Sequence, residues 1–423
     1  MRKRFLNFVT ITNMKNCFLI CCEYPYITGE TFVETEMEYL TSHFDNVYVF
    51  PINASSEDKQ TRNIPFSNVH VYPLGCIFSK MRYPVYITKG IFTRNRSLKV
   101  SVKGLKRKAV SLYAKGRSGY VFNKIKNIIE RENIQTENGV FYSYWFTDQA
   151  IAAWMLKEHF NKASKAVCRA HRYDIYAEMN SVGYLPYQDV NLKMLDGAFP
   201  CSDDGSKYIT SRNPGYDSKV HTARLGTVDH GVREYSSTDK IFVTCCGLRA
   251  LKRISLFAKA FCKLASKYDH CRWVCIGDGD ELELIKQIVA ESGVGDRVTL
   301  MGRLSNTEVI KYYAENDVSY FVNVSTTEGV PVSIMEAMSF GIPAIATDVG
   351  GSGEIVSDEN GRIINAELDE DLLFDILEKE INISEEQYLA KRKAARTEWE
   401  NKSSAATNYT KWCEILTDKA TEI

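Results

Sequence analysis

Glu328 and Glu336, two acidic residues eight positions apart, are the side chains of this sequence best placed to do chemistry together. The residues between them predict the start of a helix, because Pro331 suits a first helical position. The N–H groups of Val332 and Ser333 would then lack acceptors within the helix and suit an anion such as phosphate. Since a carboxylate can accept two hydrogen bonds from a pair of sugar hydroxyls, the stretch predicts a site for a sugar joined to phosphate. Either acid could instead interact only with the helix dipole.

The sequence also predicts how this stretch folds. The helix is expected to end at Gly341, where a left-handed backbone costs glycine nothing, with Pro343 just beyond. The apolar run that follows predicts a short buried strand. Gly350 and Gly351 then predict a turn in which the backbone passes close to a ligand.

The segment EGVPVSIMEAMSFGIPAIATDVGG, from Glu328 to Gly351, resembles the donor-site signature of the retaining glycosyltransferases of family 4. The resemblance implies an α/β protein of the GT-B type, in which two Rossmann-like domains face each other across a cleft and the last helix crosses back to the first domain. It further implies a nucleotide-diphosphate sugar, UDP- or GDP-linked, as donor. Transfer would retain the anomeric configuration and use neither a metal nor a cofactor.

A strand, a glycine turn and cations before a helix, at residues 241–253, predict a site for the donor diphosphate. The family's lysine position corresponds to Lys252, whereas Leu248 stands where many members have arginine. Arg249 and Arg253 are therefore the candidates for the second cation. The donor-binding residues that the resemblance implies are Glu336, Gly247, Arg249, Arg253, Gly277, Gly302, Gly329, Val330, Val332 and Ser333.

The predicted first domain offers candidates for the acceptor site. His171 follows a predicted strand, and ligands of open α/β sheets bind beyond the carboxyl ends of the strands. With Glu328 and Lys252, it completes the catalytic residues that the resemblance implies. The expected acceptor-binding residues are Gly29, Glu30, Thr31 and Asp174. A lone histidine is more often structural, and Gly29 could be only a turn glycine.

Length and composition bound the architecture. A chain of 423 residues exceeds one ordinary core. The predicted division is a disordered extension at 1–14, domains at 15–232 and 233–395, and a final helix at 396–423 that packs on the first domain. The 12 cysteines are scattered, which favours free thiols in a reducing cytoplasm and argues against a zinc site.

A net charge of zero hides a basic region, because no acidic residue occurs between Asp58 and Glu130. Helices in this region could contact an anionic membrane as a peripheral protein does, or could carry only a solvated basic face. No run of eighteen apolar residues predicts a membrane span. The expected acceptor is a glycan or a polyprenyl-diphosphate-linked glycan of cell-surface polysaccharide assembly, and nucleic acid is not an expected partner. Two alternatives stay open: a sugar-nucleotide epimerase of the same fold, and a non-catalytic basic scaffold.

Overall fold

The structure is a computed structural model that describes residues 14–26, 29–76, 83–160 and 164–417. Apart from Met14, the predicted extension at 1–14 lies outside these residues. The chain forms two compact units. The first comprises Met1–Phe199, Thr210–His221 and Cys413–Ile423, and the second comprises Pro200–Ile209 and Thr222–Trp412. The domain boundaries drawn from the sequence remain predictions.

The sheet of the first unit has six strands among the described residues. They are β1 (Asn16–Cys21), β2 (Asn46–Pro51), β3 (Val69–Val71), β4 (Val140–Ser143), β5 (Lys165–Ala170) and β6 (Gly197–Pro200). Their order in the sheet is β3-β2-β1-β4-β5-β6, and the pairs from β3 to β5 are parallel. The helices in this part of the chain are α1 (Thr31–His43), α2 (Tyr83–Phe92), α3 (Leu105–Arg131), α4 (Asp148–Phe160), α5 (Arg172–Ile175), α6 (Gln188–Met194) and α7 (Asp203–Arg212).

The second unit repeats this architecture. Its strands are β7 (Lys240–Cys245), β8 (Cys271–Ile276), β9 (Val298–Gly302), β10 (Val318–Asn323), β11 (Ala344–Thr347) and β12 (Gly361–Ile364). They are all parallel, in the order β12-β11-β10-β7-β8-β9. The remaining helices are α8 (Ile254–Lys267), α9 (Leu282–Ser292), α10 (Asn306–Glu315), α11 (Val332–Ser339), α12 (Glu370–Ile381), α13 (Glu385–Lys402) and α14 (Ala405–Thr417).

Hydrophobic patterning explains these elements. Every residue of β1 and of β10 is buried, as expected for parallel strands covered by helices on both faces. Helix α8 buries Ile254, Phe257, Phe261 and Leu264, whose spacing of three or four residues forms one apolar face. In the core of the second unit, Phe257 packs edge-on against the fully buried Trp273, with ring centroids 5.2 Å apart.

Both sheets have the strand order of a Rossmann fold, so the two predicted Rossmann-like domains are confirmed. In such a sheet the ligand crevice lies where the first and fourth strands are neighbours. These pairs are β1 with β4 in the first unit and β7 with β10 in the second. Each unit therefore has one switch point at which functional side chains are expected. Within the described ranges, no helix combines the length and the apolar character needed to cross a membrane.

Candidate active site

Glu328 lies in the loop after β10, at the switch point of the second sheet, and is 8% exposed. Its Oε1 atom accepts hydrogen bonds from Lys252 Nζ (2.5 Å), Ser325 Oγ (2.6 Å) and Asn323 Nδ2 (3.2 Å). The structure therefore brings together two of the three predicted catalytic residues. The supporting roles of Asn323 and Ser325 were missed in the sequence, although polar residues at the end of a buried strand were a usable signal.

Lys252 reaches Glu328 because strands β7 and β10 are adjacent. It ends the single helical turn Ala250–Lys252 that follows β7, and its side chain is 22% exposed. A partly solvated ammonium group can exchange one anionic partner for another. A diphosphate, with more negative charge than one carboxylate, is a suitable competitor for this lysine.

Arg253 uses its guanidinium group to hold the neighbouring loops. Nε donates to the carbonyl oxygen of Val324 (2.6 Å), and Nη1 and Nη2 donate to those of Ala366 (2.7 Å) and Ser325 (3.3 Å). Its backbone is left-handed, with φ 53°. Burial lowers the pKa of Arg253. This geometry gives Arg253 a role in positioning the loop that carries Glu328. Its role as a donor-binding cation stays a prediction.

Arg249 remains the candidate for the second cation, because its side chain is exposed. Leu248, which stands where many members of the resembling family have arginine, is completely buried in the core of the second unit. At this position, where the sequence departs from the family pattern, the residue therefore packs in the core. Arg249, the next residue in the sequence, is therefore the cation that we expect to bind the diphosphate.

The glycines predicted to surround the donor differ in why the structure needs glycine at their positions. A Cβ atom on Gly277 (φ 144°) would lie 1.9 Å from the carbonyl oxygen of Cys246, so glycine is needed for one loop to contact another. Gly277 N–H also donates to the carbonyl oxygen of Gly302 (2.8 Å). Gly302 (φ 68°) faces open space, and Gly247 is exposed. Gly302 and Gly247 are thus accessible, whereas Gly277 is explained by packing.

Gly350 and Gly351 pack against the loop that carries Glu328. A Cβ atom on Gly350 would lie 2.0 Å from the carbonyl oxygen of Glu328. The N–H group of Gly351 donates to the carbonyl oxygen of Gly329 at 2.6 Å. The sequence pattern predicts that the backbone at these glycines passes close to a ligand. The structure shows that the close neighbour is the protein's own backbone, which fixes the position of Glu328.

Helix α11 begins at Val332, one residue after the predicted first position at Pro331, and is followed by the left-handed Gly341 (φ 70°) that was predicted to end it. Pro331 accepts from the N–H group of Ile334 at 3.1 Å, so bonding within the helix begins there. The N–H groups of Val332 and Ser333 precede that bond and retain the predicted capacity to bind an anion. Val330, just before the helix, is 7% exposed and packs as an apolar residue.

Glu336, in the second turn of α11, accepts a hydrogen bond from Asn306 Nδ2 at 2.6 Å. Burial raises the pKa of Glu336 to about 7, and the bond from Asn306 acts in the opposite direction. Asn306 is the first residue of α10 and was not singled out in the sequence. At neutral pH, Glu336 is therefore divided between a protonated form and an ionised form, and only the ionised form accepts at both oxygens.

His171 lies at the carboxyl end of β5 in the first unit, 8% exposed. Its ring stacks on Tyr144 (centroids 5.0 Å apart) and on Phe32 (5.5 Å), and it also contacts Trp145 (4.9 Å). Among the described residues, no group forms a hydrogen bond with its Nε2 atom. Burial, together with the charge of Arg169, lowers the pKa of His171 to about 3. At neutral pH it is thus an uncharged imidazole, and its Nε2 atom is buried without a hydrogen-bond partner among the described residues.

Asp174 accepts a hydrogen bond from the backbone of His171 and so fixes the position of that residue. It is completely buried, and its Oδ1 and Oδ2 atoms accept from the backbone N–H groups of His171 (2.6 Å) and Phe146 (2.5 Å). Burial raises the pKa of Asp174 to about 7. These contacts give Asp174 a role in positioning the histidine. Acceptor binding by Asp174 stays a prediction.

Glu30 has a similar positioning role at the switch point of the first sheet. Its Oε1 atom accepts from the N–H group of Cys22 (2.8 Å) and from Trp145 Nε1 (2.6 Å), and Oε2 accepts from the N–H groups of Glu23 (2.6 Å) and Tyr24 (2.9 Å). The buried carboxylate thereby joins the loop after β1 to the loop after β4. Direct acceptor contact by Glu30 stays a prediction.

Gly29 and Thr31, on either side of Glu30, remain candidates for the acceptor. A Cβ atom on Gly29 would lie 2.4 Å from Glu23 Oε2, so a larger residue would displace that side chain. The carbonyl oxygen of Gly29 accepts from Arg62. Thr31 is exposed at the start of α1.

Fold and site together define a class: a protein with two Rossmann-like domains of the GT-B type. A solved structure with this fold is that of Alr3699/HepE from Anabaena in complex with UDP and glucose. It matches with a TM-score of 0.63 and 14% identity, over 96% of this chain and 100% of that one. Residues 229–397 match the family described as glycosyl transferases group 1. This segment is similar to that family, and the resemblance found in the sequence is confirmed.

Two curated relatives share parts of the chain. N-acetyl-alpha-D-glucosaminyl L-malate synthase of Bacillus anthracis is 24% identical over 244 residues, which are 55% of this chain and 62% of that protein. The lipopolysaccharide core biosynthesis mannosyltransferase LpsB of Rhizobium meliloti is 35% identical over 142 residues, which are 30% of this chain and 38% of that protein. Each match spans less than two thirds of the relative's length.

Proposed function

We propose that the protein is a retaining glycosyltransferase that moves a sugar from a nucleotide-diphosphate sugar to a glycan or lipid-linked glycan acceptor. The observation that carries the proposal is the contact between Lys252 and Glu328 at the switch point of the second sheet. A cation and an acid lie there in the loops after β7 and β10, the two strands that flank the crevice. This pairing suits a ligand that joins a diphosphate to a sugar.

Each part of the donor has a candidate partner in the second unit. Glu336 accepts from the ribose hydroxyls, and Glu328 accepts from the hydroxyls of the transferred sugar. Lys252, Arg249 and the first N–H groups of α11 bind the diphosphate. When the sugar leaves, negative charge grows on the diphosphate, so fixed donors aimed at it stabilise the transition state more than the ground state.

The same charges support transfer without a metal. Two cations and the N-terminal end of a helix supply positive charge where a divalent ion would otherwise bind. We therefore expect activity to survive treatment with a chelator. Retention is proposed from the family 4 resemblance, with the acceptor hydroxyl attacking on the face from which the diphosphate leaves.

The donor is proposed to be a UDP-sugar, with a GDP-sugar as the alternative. The Anabaena structure with UDP and glucose supports the first choice. The mannosyltransferase LpsB, named for lipopolysaccharide core biosynthesis, supports a role in cell-surface polysaccharide assembly. A cytoplasmic location is proposed from the scattered cysteines. In the first unit, His171 is proposed to contribute to acceptor binding, and Gly29 and Thr31 to line the acceptor site.

The direct test is sugar transfer from labelled nucleotide sugars to extracted glycolipid acceptors, with the anomeric configuration of the product read by NMR. We expect Lys252→Ala to reduce turnover by about a hundredfold, the scale of losing one group that stabilises a developing anion. Its fold should persist, because Ser325 and Asn323 still donate to Glu328. Lys259→Ala, on the exposed side of α8, is the matched control and should behave as wild type.

Three outcomes would contradict the proposal. Unchanged turnover in Lys252→Ala would refute the diphosphate assignment. An inverted product would refute retention. Release of an epimerised nucleotide sugar in the absence of any acceptor would identify the protein as an epimerase instead.

A further inference from the structure

Four large apolar side chains are exposed on α2 and at the start of α3. The exposed fractions are 48% for Val85, 61% for Ile91, 76% for Phe92 and 85% for Leu105. Leu98, in the connection between the two helices, is completely buried, so this region does have a packed interior. The four exposed side chains are therefore not part of that interior, and water is an unfavourable neighbour for them.

Cations surround these apolar residues. Eight of them, all exposed, occur between residues 89 and 108: Lys89, Arg94, Arg96, Lys99, Lys103, Lys106, Arg107 and Lys108. Ion pairs elsewhere in the first unit join Arg62, Arg117, Lys126 and Arg131 to carboxylates, but within the described residues none of the eight has such a partner. The local charge is thus strongly positive and uncompensated.

The two helices are held together rigidly. A Cβ atom on Gly90 would lie 2.0 Å from the carbonyl oxygen of Leu112, and one on Gly116 would lie 1.9 Å from that of Tyr86. The backbones of α2 and α3 are therefore in direct contact. Since α2 cannot rotate without breaking this contact, the exposed positions of Ile91 and Phe92 are built into the fold.

A cavity of about 630 Å³ opens between the two helices beside these residues. Its lining includes Lys89, Arg94 and Lys124 as cations and Phe92 as an apolar wall. The ammonium group of Lys89 lies 4.3 Å from the ring centroid of Tyr120, which orients it toward the same space. The cavity has the size and charge to hold a phosphate-bearing group.

We propose that this α2–α3 surface, residues 83–108 with the adjoining cavity, docks on a membrane that contains anionic phospholipids. Ile91 and Phe92 enter the boundary of the acyl chains, the lysines and arginines contact the phosphates, and the cavity receives one lipid head group. Stable attachment to a membrane generally needs two contributions, and here an apolar insertion and a basic patch occur on one rigid surface.

Nucleic acid is the less suitable occupant of this surface. A single-stranded nucleic acid binds through phosphates and through stacking of bases on exposed aromatic rings. Three of the four exposed apolar residues, Val85, Ile91 and Leu105, are aliphatic and offer no such stacking. Aliphatic side chains next to cations match the layered chemistry of a lipid surface better.

The test is co-sedimentation of the full chain with vesicles of phosphatidylcholine alone and with vesicles that also contain phosphatidylglycerol. We expect binding to the second kind only, weakened by added salt. The double variant Ile91→Ser, Phe92→Ser is expected to bind at least about tenfold more weakly, because it removes the apolar insertion but no charge. Leu284→Ser, an equally apolar-to-polar change at a residue 47% exposed on α9, is the control and should bind as wild type.

A second variant tests the electrostatic part. Lys103→Gln with Lys106→Gln should lower binding and flatten its salt dependence. The proposal is overturned if the wild-type protein does not bind the anionic vesicles, or if the double serine variant binds them as tightly as wild type. It is also overturned if the chain binds single-stranded RNA and not vesicles. Nucleotide-sugar binding measured on the same variants without vesicles separates these results from the proposed activity, since neither pair of residues belongs to the donor site.

Discussion

Replacing Glu30 with glutamine should destabilise the first unit, because the Glu30 carboxylate accepts four hydrogen bonds that join two loops. Each carboxylate oxygen accepts from two N–H donors. Whichever way the new amide is turned, its NH₂ group faces two of those donors, and both lose their acceptor. A buried donor left without an acceptor costs roughly 1–3 kcal/mol. With partial relaxation of the loops, we expect a loss of about 3 kcal/mol in the free energy of unfolding.

The assay is calorimetric melting of the full chain, because two units need not unfold in one transition. For a unit of about 200 residues, the expected loss lowers the melting temperature by roughly 6–12 °C. Glu34→Gln, in the first turn of α1 with a side chain 55% exposed, is the control and should melt within about 2 °C of wild type. Equal melting of Glu30→Gln and the control, together with a raised KM for the acceptor, would refute the positioning role and favour direct acceptor contact.

Two further predictions concern the donor site. Because the pKa of Glu336 is about 7, nucleotide affinity should rise by up to roughly tenfold between pH 6 and pH 8 as the carboxylate ionises, in a calorimetric titration. Glu336→Gln should abolish that pH dependence. Asn306→Ala should move the rise in affinity to higher pH, because the hydrogen bond that lowers the pKa of Glu336 is lost. A rise in affinity at an unchanged pH in Asn306→Ala would contradict the contact between Asn306 and Glu336. Arg253→Ala should lower the melting temperature by an amount corresponding to about 2–3 kcal/mol, since three carbonyl oxygens lose a charged donor. Arg249→Ala should leave melting unchanged and weaken nucleotide binding about tenfold, and the reverse pattern for the two arginines would show that their roles had been exchanged.

Local sequence patterns were sufficient to predict much of the fold. Glycine at 341 with proline at 343 predicted the end of α11, and the apolar run that follows predicted β11. These features depend on neighbours in the chain. The pairing of Lys252 with Glu328 was predictable only in part, because it also needed the strand order that brings β7 beside β10.

The roles of several polar residues could not be predicted, because they depend on contacts between distant segments. Asn306 and Glu336 are 30 residues apart in the chain, and Glu30 and Trp145 are 115 apart. In the sequence, an acidic residue that accepts hydrogen bonds from backbone N–H groups cannot be distinguished from one that binds a ligand. Asp174 is such a case, since its type and position beside a histidine suggested binding, whereas its contacts give it a role in positioning that histidine.

The most direct measurement of the central claim is calorimetric titration of the wild-type chain with UDP- and GDP-sugars, repeated on Lys252→Ala and on the control Lys259→Ala. We predict that one nucleotide class binds to wild type and to the control, and that Lys252→Ala loses at least about tenfold in affinity, because a diphosphate loses a charged donor. Equal affinity in all three proteins, or no binding of either class, would contradict a donor site built around Lys252 and Glu328.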